Sequence, residues 1–251
     1  LGSRVSVVEM TGGFLPGVDR DLVRVFAKRN ESTFEELYFE TKVTAVDDKN
    51  GKLQVTLEDR EGNSEQRSFD KVLLAVGRRP RTSDLGLDNT GVELDDQGFI
   101  RVNAQRRTGE TSIYAIGDVT GQPMLAHKAS HEGRIAAEVI AGRRTAYEPR
   151  AVPAVVYTDP EIAWCGLTET EAKEAGREVR VAKFPWSASG RAATVHRSDG
   201  LTKLLIDPGT ERLLGVGIAG KNAGDLIAEA TLAVEMAALA SDLSLTIHPH
   251  P

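Results

Sequence analysis

The sequence predicts a chain that is α/β in its first part and α+β in its last, on three observations. The apolar run Val5 to Val8 ends in Glu9 before the turn-rich stretch TGGFLPG and a helical pattern, which is the order of a buried strand feeding a helix. The run Ile113 to Ile116 ends in Gly117-Asp118, and a loop leads from there into a second helical pattern. Beyond Pro149 to Pro153 the apolar residues fall in short segments separated by turn formers, as antiparallel strands require.

In chain order, the segment DRDLVRVFAKRN (19–30) sets Leu22, Val23, Val25 and Phe26 on helical spacing, with acids early and bases late as the helix dipole favours. ETKVTAVDD, KLQVTLED and EQRSFDKVLLAVG predict strands, with turns at Lys49-Asn50-Gly51 and Glu61-Gly62-Asn63, giving a small α/β unit with an antiparallel flap. From Arg78 to about Thr108 the chain is loop-rich, with one short strand pair around GVELDDQGFIRV. The next helix is predicted from about His127 to Ala141, with Ala129, Gly133, Ala136, Ala137 and Ile140 as a small-residue face. A strand that delivers Asp118 ahead of a helix N-terminus offers a carboxylate to ligand hydroxyls and backbone N–H groups to ligand oxygens, so a ligand is expected there. In the last part, strands are predicted in AVVYTDPEIAWCGLT, REVRVAKFPW and GLTKLLIDPGTERLLGVGIAG, with Asp207-Pro208-Gly209 as a hairpin turn. Helices are predicted over Thr168 to Ala175 and Ala223 to Ala240, and the second is so rich in Ala and Leu that a core or a partner must cover it. Trp164, Trp186 and Phe184 are expected to fill the core of this part.

Composition narrows the function classes. With 251 residues, 40% of them hydrophobic, the chain can bury one or two cores. The net charge of -6 and the absence of long Lys/Arg runs advertise neither a nucleic-acid groove nor an anionic membrane surface. No apolar stretch approaches the roughly 18 residues of a membrane helix, and LGSRVSVVEM lacks the pattern of an export signal and reads as a start within a domain. The single Cys165 excludes an internal disulfide framework and a cysteine-rich metal site, is expected to be buried packing, and points to a reducing, cytoplasmic setting. His127 and His131 stand at i and i+4 but lack a third ligand nearby in sequence, so no metal is expected.

The motifs LGSRVSVVE, LLAVGRRP, YAIGDVTGQPMLAHKASHEG, TDPEIAWCGLT, FPWSASGRA, GLTKLLID and LTIHPHP, in this order and nearly end to end, resemble the second half of the pyridine nucleotide-disulfide oxidoreductases, most of all the members that reoxidise dihydrolipoyl groups. The resemblance implies that residues 1–79 are the latter part of a Rossmann-like NAD-binding domain, 80–150 a returning segment of an FAD-binding domain, and 151–251 an α+β interface domain truncated at the catalytic loop. It implies FAD and NAD as cofactors, a homodimer, and partners that carry lipoyl domains in 2-oxo acid dehydrogenase or glycine cleavage complexes. The implied reaction is FAD-dependent oxidation of protein-bound dihydrolipoamide by NAD+, through a redox disulfide that this chain does not contain. The chain alone is therefore expected to be inactive. A mercuric or glutathione reductase type of enzyme and a non-catalytic dimerisation fragment remain as alternatives.

By the same resemblance Glu9 accepts hydrogen bonds from the adenosine ribose hydroxyls, where its charge would repel a 2'-phosphate; in isolation it would be an ordinary solvated strand end. Val43, Ala75, Gly77 and Arg78 are implied as further NAD contacts. Asp118 is implied to bind a ribitol hydroxyl of FAD, and Met124, Leu125, Ala126 and His127 to line the flavin. His250 is the implied acid-base catalyst, since an imidazole, with an ordinary pKa of about 6.5, exchanges protons with a dithiol near neutrality. His248 is its structural neighbour, the prolines stiffen the segment, and the Glu that would polarise His250 falls beyond Pro251.

Overall fold

The computed structural model describes residues 2–250. The chain forms two compact units, one made of the residues up to Leu74 together with those from Pro153, the other of Ala75–Val152.

In the first unit β1 (Ser6–Val8) pairs in parallel with β2 (Glu36–Tyr38), and α1 (Arg20–Arg29) lies between them in the chain. Helix α1 forms where predicted because Leu22, Val23 and Phe26 share one buried face, with Asp21 in its first turn and Lys28 and Arg29 in its last. The Arg20 guanidinium donates to the carbonyls of Phe14 (2.8 Å) and Val18 (2.6 Å) and so holds the preceding loop closed. Strands β3 (Lys42–Lys49), β4 (Lys52–Glu58) and β5 (Ser64–Phe69) form the expected antiparallel flap. Asn50 and Gly51 turn β3 into β4 with φ of 57° and 79°, the left-handed pair that tight hairpins need. The predicted continuation through KVLLAVG is not a strand. Strand β5 ends at Phe69, and Leu73, Leu74 and Val76 are 91%, 74% and 89% exposed. The run has strand propensity, but a ladder needs a partner, and none of the described residues pairs with it.

The second unit is built around α2 (Ala126–Ile140), close to the predicted span. The strand predicted at Ile113 to Ile116 is a single bridge, Arg107 to Tyr114, and the pair in GVELDDQGFIRV is reduced to Leu94 with Ile100. The buried face of α2 also differs from the small-residue face: it consists of Lys128, Glu132, Ile135, Ala136 and Val139, while Ile140 is 66% exposed. The small residues serve close approach instead. A Cβ on Gly117 would stand 3.1 Å from that of Ala129, and one on Gly133 would stand 3.1 Å from Ile116 Cδ1.

From Pro153 the chain returns to the first unit. Strands β6 (Ala154–Val156), β7 (Glu161–Gly166), β8 (Arg180–Pro185), β9 (Leu201–Ile206) and β10 (Leu213–Gly220) make an antiparallel sheet in the order β6-β7-β10-β9-β8. Helix α3 (Glu169–Glu174) starts with a capping box between Thr168 and Glu171, and α4 (Gly190–Thr194) follows β8. The helix predicted over Ala223 to Ala240 stops earlier, as α5 (Ala223–Glu235), and a further helix the sequence reading did not include, α6 (Ala240–Leu245), follows. Between them Ala237 turns left-handed at φ 54°, the Ala238 carbonyl accepts from Leu213 N–H at 2.9 Å, and Leu239 bridges to Arg212, so the sheet captures backbone the helix would have used. Trp186 donates from Nε1 to Thr202 Oγ1 at 3.0 Å, and Trp164 packs against the core of Val18, Leu22, Val23, Phe26, Ile162 and Ala219. Phe184 departs from expectation at 47% exposed, because β8 is the edge of the sheet. Cys165 is buried, and burial pushes its thiol pKa up.

One ion cluster ties these segments together. Lys203 on β9 is fully buried, with Nζ 2.5 Å from Asp19 Oδ2, 2.7 Å from Asp21 Oδ1 and 3.1 Å from Glu169 Oε2. Lys183 on β8 adds a contact of 2.7 Å to Asp21 Oδ2. Asp19 stands before α1, yet its carboxylate accepts the backbone N–H groups of Glu169 and Thr170, both at 3.1 Å, and so caps α3. Burial pushes the Asp19 and Asp21 carboxyls up, but the bonds from Lys203, with Lys183 on Asp21 and the backbone on Asp19, outweigh it and leave both below the usual carboxylate value. Lys203 is raised, since its acidic partners outweigh the burial that would lower it.

Stability should therefore hold above pH about 4, the ordinary carboxylate value, and fall as pH drops through the lowered pKa values of Asp19 and Asp21. At the other end, the Lys203 contribution is lost only as pH rises through its own pKa, above the ordinary 10.5. Lys203→Ala leaves three acids facing each other and is expected to cost about 3–5 kcal/mol in urea unfolding at pH 7. Gly200→Ala would place a Cβ 2.3 Å from the Trp186 ring and is expected to cost about 1–3 kcal/mol by the same measurement.

Candidate functional site

The second unit gathers most of the residues singled out from the sequence. The turn Gly117–Thr120 follows Ile116, and the Asp118 side chain stands 42% exposed. Arg78 Nη1 lies 3.0 Å from Asp118 Oδ2, and its Nη2 donates to the Met124 carbonyl at 2.6 Å. Arg78, expected among the NAD contacts, is thus joined in this structure to the residues expected around FAD. Met124 is buried, while Leu125, Ala126 and His127 lead into the first turn of α2. That turn has no side-chain cap and no acidic residue, so the positive end of the helix is not neutralised locally. Ala75 and Gly77 are exposed, and Gly77 has φ 93°, a conformation that favours glycine.

Residues that the sequence did not single out hold this arrangement in place. Glu132 is fully buried on α2; its Oε2 accepts Gly117 N–H at 2.7 Å and its Oε1 accepts from Arg106 at 2.9 Å and pairs with Lys128 at 3.2 Å. Lys128 also donates to the Gly121 carbonyl at 3.2 Å, so the turn is gripped on both sides of Asp118. Arg106 in turn lies 4.9 Å over the Tyr147 ring, against which His131 packs at 5.8 Å. The legible signal was Lys128 and Glu132 at i and i+4 just after the turn; that both are buried could be learned only from the fold.

The other predicted residues lie in the first unit. Glu9 follows β1, with Oε1 accepting Thr11 N–H at 2.8 Å and its carbonyl accepting Thr41 N–H at 3.2 Å. The latter contact brings the start of β3, and Val43 on it at 42% exposed, beside the end of β1. His250 is exposed at the end of the segment after α6. Among the described residues, one group of acids has the spacing of metal ligands, Asp19 with Asp21 and Glu169, and the Lys203 ammonium lies in its midst.

Chemically, the second unit presents a carboxylate and a guanidinium side by side, next to an uncapped helix start. A ligand bearing hydroxyl groups and an electron-rich edge suits that donor set, and FAD has both. In the first unit, the Glu9 carboxylate at a strand end suits a ribose diol, as NAD would supply.

The first unit thus combines a parallel strand-helix-strand stretch with an antiparallel sheet, and the second sets an acid at a turn before a helix. The chain belongs to the pyridine nucleotide-disulphide oxidoreductases: the family model matches residues 1–133, and the model of the family's dimerisation domain matches residues 152–251. Dihydrolipoyl dehydrogenase of Haemophilus influenzae is 49% identical over 251 residues, covering 100% of this chain and 52% of the relative. That of Thermus scotoductus is 50% identical over 252 residues, covering 100% and 54%. Among solved structures, LpdA from Mycobacterium tuberculosis superposes with a TM-score of 0.89 at 27% identity, over 100% of this chain and 54% of that one. The HOCl-induced flavoprotein disulfide reductase RclA from Escherichia coli does so at 0.87 and 26%, over 100% and 57%. The chain spans about half the length of the relatives it matches.

Glu132→Ala removes the acceptor of Arg106 and Lys128 and of Gly117 N–H, and is expected to cost about 3–5 kcal/mol, read as a lower midpoint in urea unfolding.

Proposed function

We propose that this chain is the second half of a dihydrolipoyl dehydrogenase, which oxidises protein-bound dihydrolipoamide with NAD+ as acceptor. The observation that carries the reading is the run of 49–50% identity with dihydrolipoyl dehydrogenases over all of the chain, with His250 in place within LTIHPHP. That identity favours it over a mercuric or glutathione reductase type of enzyme; the histidine speaks against the mercuric type, and Glu9 at its strand end speaks against an enzyme that uses NADPH. Residues 1–79, 80–150 and 151–251 are read as NAD-domain, FAD-domain and interface-domain segments.

Asp118, held at its turn by Glu132, accepts from the hydroxyls of FAD, and Arg78 is the cation beside it. Met124 to His127 lead the N-terminus of α2 toward the flavin, and Glu9 with Val43, Ala75 and Gly77 takes the NAD end. FAD, when bound, supplies the two-electron path between dithiol and NAD+. Oxidation of the dithiol yields two electrons and two protons; one proton leaves with the electrons as hydride on NAD+, and the other goes to solvent. His250 takes the dithiol proton, which is the step an imidazole suits. The redox disulfide belongs to residues outside this chain, since Cys165 is single and buried, and burial pushes its thiol pKa up. A homodimer built through the dimerisation domain covers the exposed apolar side chains of α5, Leu226 and Leu232, and Met236 after it. Lipoyl-bearing subunits of a 2-oxo acid dehydrogenase or glycine cleavage complex are the protein partners, and the cytoplasm is the place of action.

The test is NADH formation from dihydrolipoamide. The full-length protein should turn over, His250→Gln within it should lose roughly 10²- to 10⁴-fold in kcat, and the 251-residue chain alone should show no turnover. A full-length protein that reduces glutathione disulfide or mercuric ion instead would overturn the reading.

A further inference from the structure

We propose that Glu229 and His248 form a latch that holds the segment carrying His250 against α5, making both positioning residues for the His250 imidazole. The consequence for turnover rests on the dehydrogenase reading above; the latch itself does not.

His248 Nε2 lies 2.8 Å from Glu229 Oε1, and its Nδ1 lies 2.9 Å from the carbonyl oxygen of Thr246. Both partners are acceptors, so both ring nitrogens are satisfied only when both carry hydrogen, which makes the latched ring an imidazolium. Glu229 raises the His248 pKa, first through this hydrogen bond and then through its charge, and the Thr246 carbonyl adds to it. These two are the groups that meet the ring: the carboxylate from α5 and a carbonyl dipole from the segment itself. With both nitrogens engaged, His248 has no lone pair to offer a substrate, which leaves the proton chemistry to His250.

The support is rigid and the held segment has little else to hold it. Helix α5 is fixed to the sheet by its buried Ala223, Ile227, Ala230, Ala233 and Val234. Thr246 is tied to α6 through its N–H at 3.0 Å and its hydroxyl at 2.7 Å, both to the Asp242 carbonyl. Ile247 is 95% exposed, so apolar packing does not place this stretch. Pro249 then fixes one backbone angle between the latched ring and His250, so that an anchored His248 restricts where the next imidazole can point.

The latch is read directly in the 251-residue chain by NMR. His248 should titrate above the ordinary imidazole value, Glu229→Ala should return it toward that value, and the backbone of residues 247–250 should become more mobile in the variant. A His248 pKa unmoved by Glu229→Ala, or equal mobility of 247–250 in both chains, overturns the latch. In the full-length protein, Glu229→Ala should lower kcat with dihydrolipoamide about tenfold while electron transfer from NADH to an artificial acceptor at the flavin is unchanged. Equal loss in both assays, or loss in neither, overturns the positioning role. A wild-type protein without activity on dihydrolipoamide would sink the dehydrogenase reading, whereas the NMR result decides the latch independently.

Discussion

The first unit depends on the buried ammonium of Lys203. A charge taken wholly out of water is tolerable only when it is paired and hydrogen-bonded, and here its three acidic partners come from two stretches of the chain far from its own. Asp19 and Asp21 sit at the start of α1, Glu169 opens α3, and the lysine is on β9. The segment before Leu74 is therefore held to the sheet after Pro153 by charge as well as by the packing of Leu22 and Phe26 on Ile162 and Ala219. Gly217 belongs to the same contact: a Cβ there would stand 2.5 Å from Leu22 Cδ1, so only glycine lets α1 lie this close to β10.

The second unit repeats the device with the signs reversed. The fully buried group is the Glu132 carboxylate, and its partners include two cations, one backbone N–H and the Thr120 hydroxyl. Its effect is local and bears on function, because the N–H it fixes is that of Gly117, directly before Asp118. The Asp118 side chain, at 42% exposure, has little packing of its own to orient it; the Glu132 carboxylate on α2 fixes the residue before it. Arg78, bonded to Asp118 and to the Met124 carbonyl, links the turn to the start of the helix. Acid, cation and uncapped helix start thus stand on a framework that a ligand does not have to build.

Family membership and this framework address different questions. The family models identify the kind of protein, and the chain spans about half the length of the relatives it matches. The geometry shows which candidate groups already have partners: Asp118 bonds Arg78 while the Gly117 N–H before it bonds Glu132, Glu9 accepts Thr11 N–H, and His248 meets Glu229. His250 is exposed, and the neighbour two residues back, His248, is bonded to Glu229 of α5.

Local pattern by itself determined a good deal. Helices α1, α2 and α3, the flap of β3 and β4, the Asp207-Pro208-Gly209 turn and the antiparallel sheet were all legible, because each follows from side-chain spacing and from turn and cap chemistry within a few residues. Motif order indicated Glu9, Asp118 and His250 as candidates. What the tertiary structure decided was whatever needed a partner from far away in the chain. KVLLAVG has strand propensity but pairs with no strand among the described residues, and Leu73, Leu74 and Val76 stay exposed. The Ala-rich stretch after Asn222 would have run on as one helix had Leu213 N–H not taken the Ala238 carbonyl. Nothing in a linear reading shows that Lys203, Lys128 and Glu132 are buried; Lys128 and Glu132 pair within one helix, but Lys203 meets Asp19, Asp21 and Glu169, and Glu132 meets Arg106, from stretches that only the fold brings together.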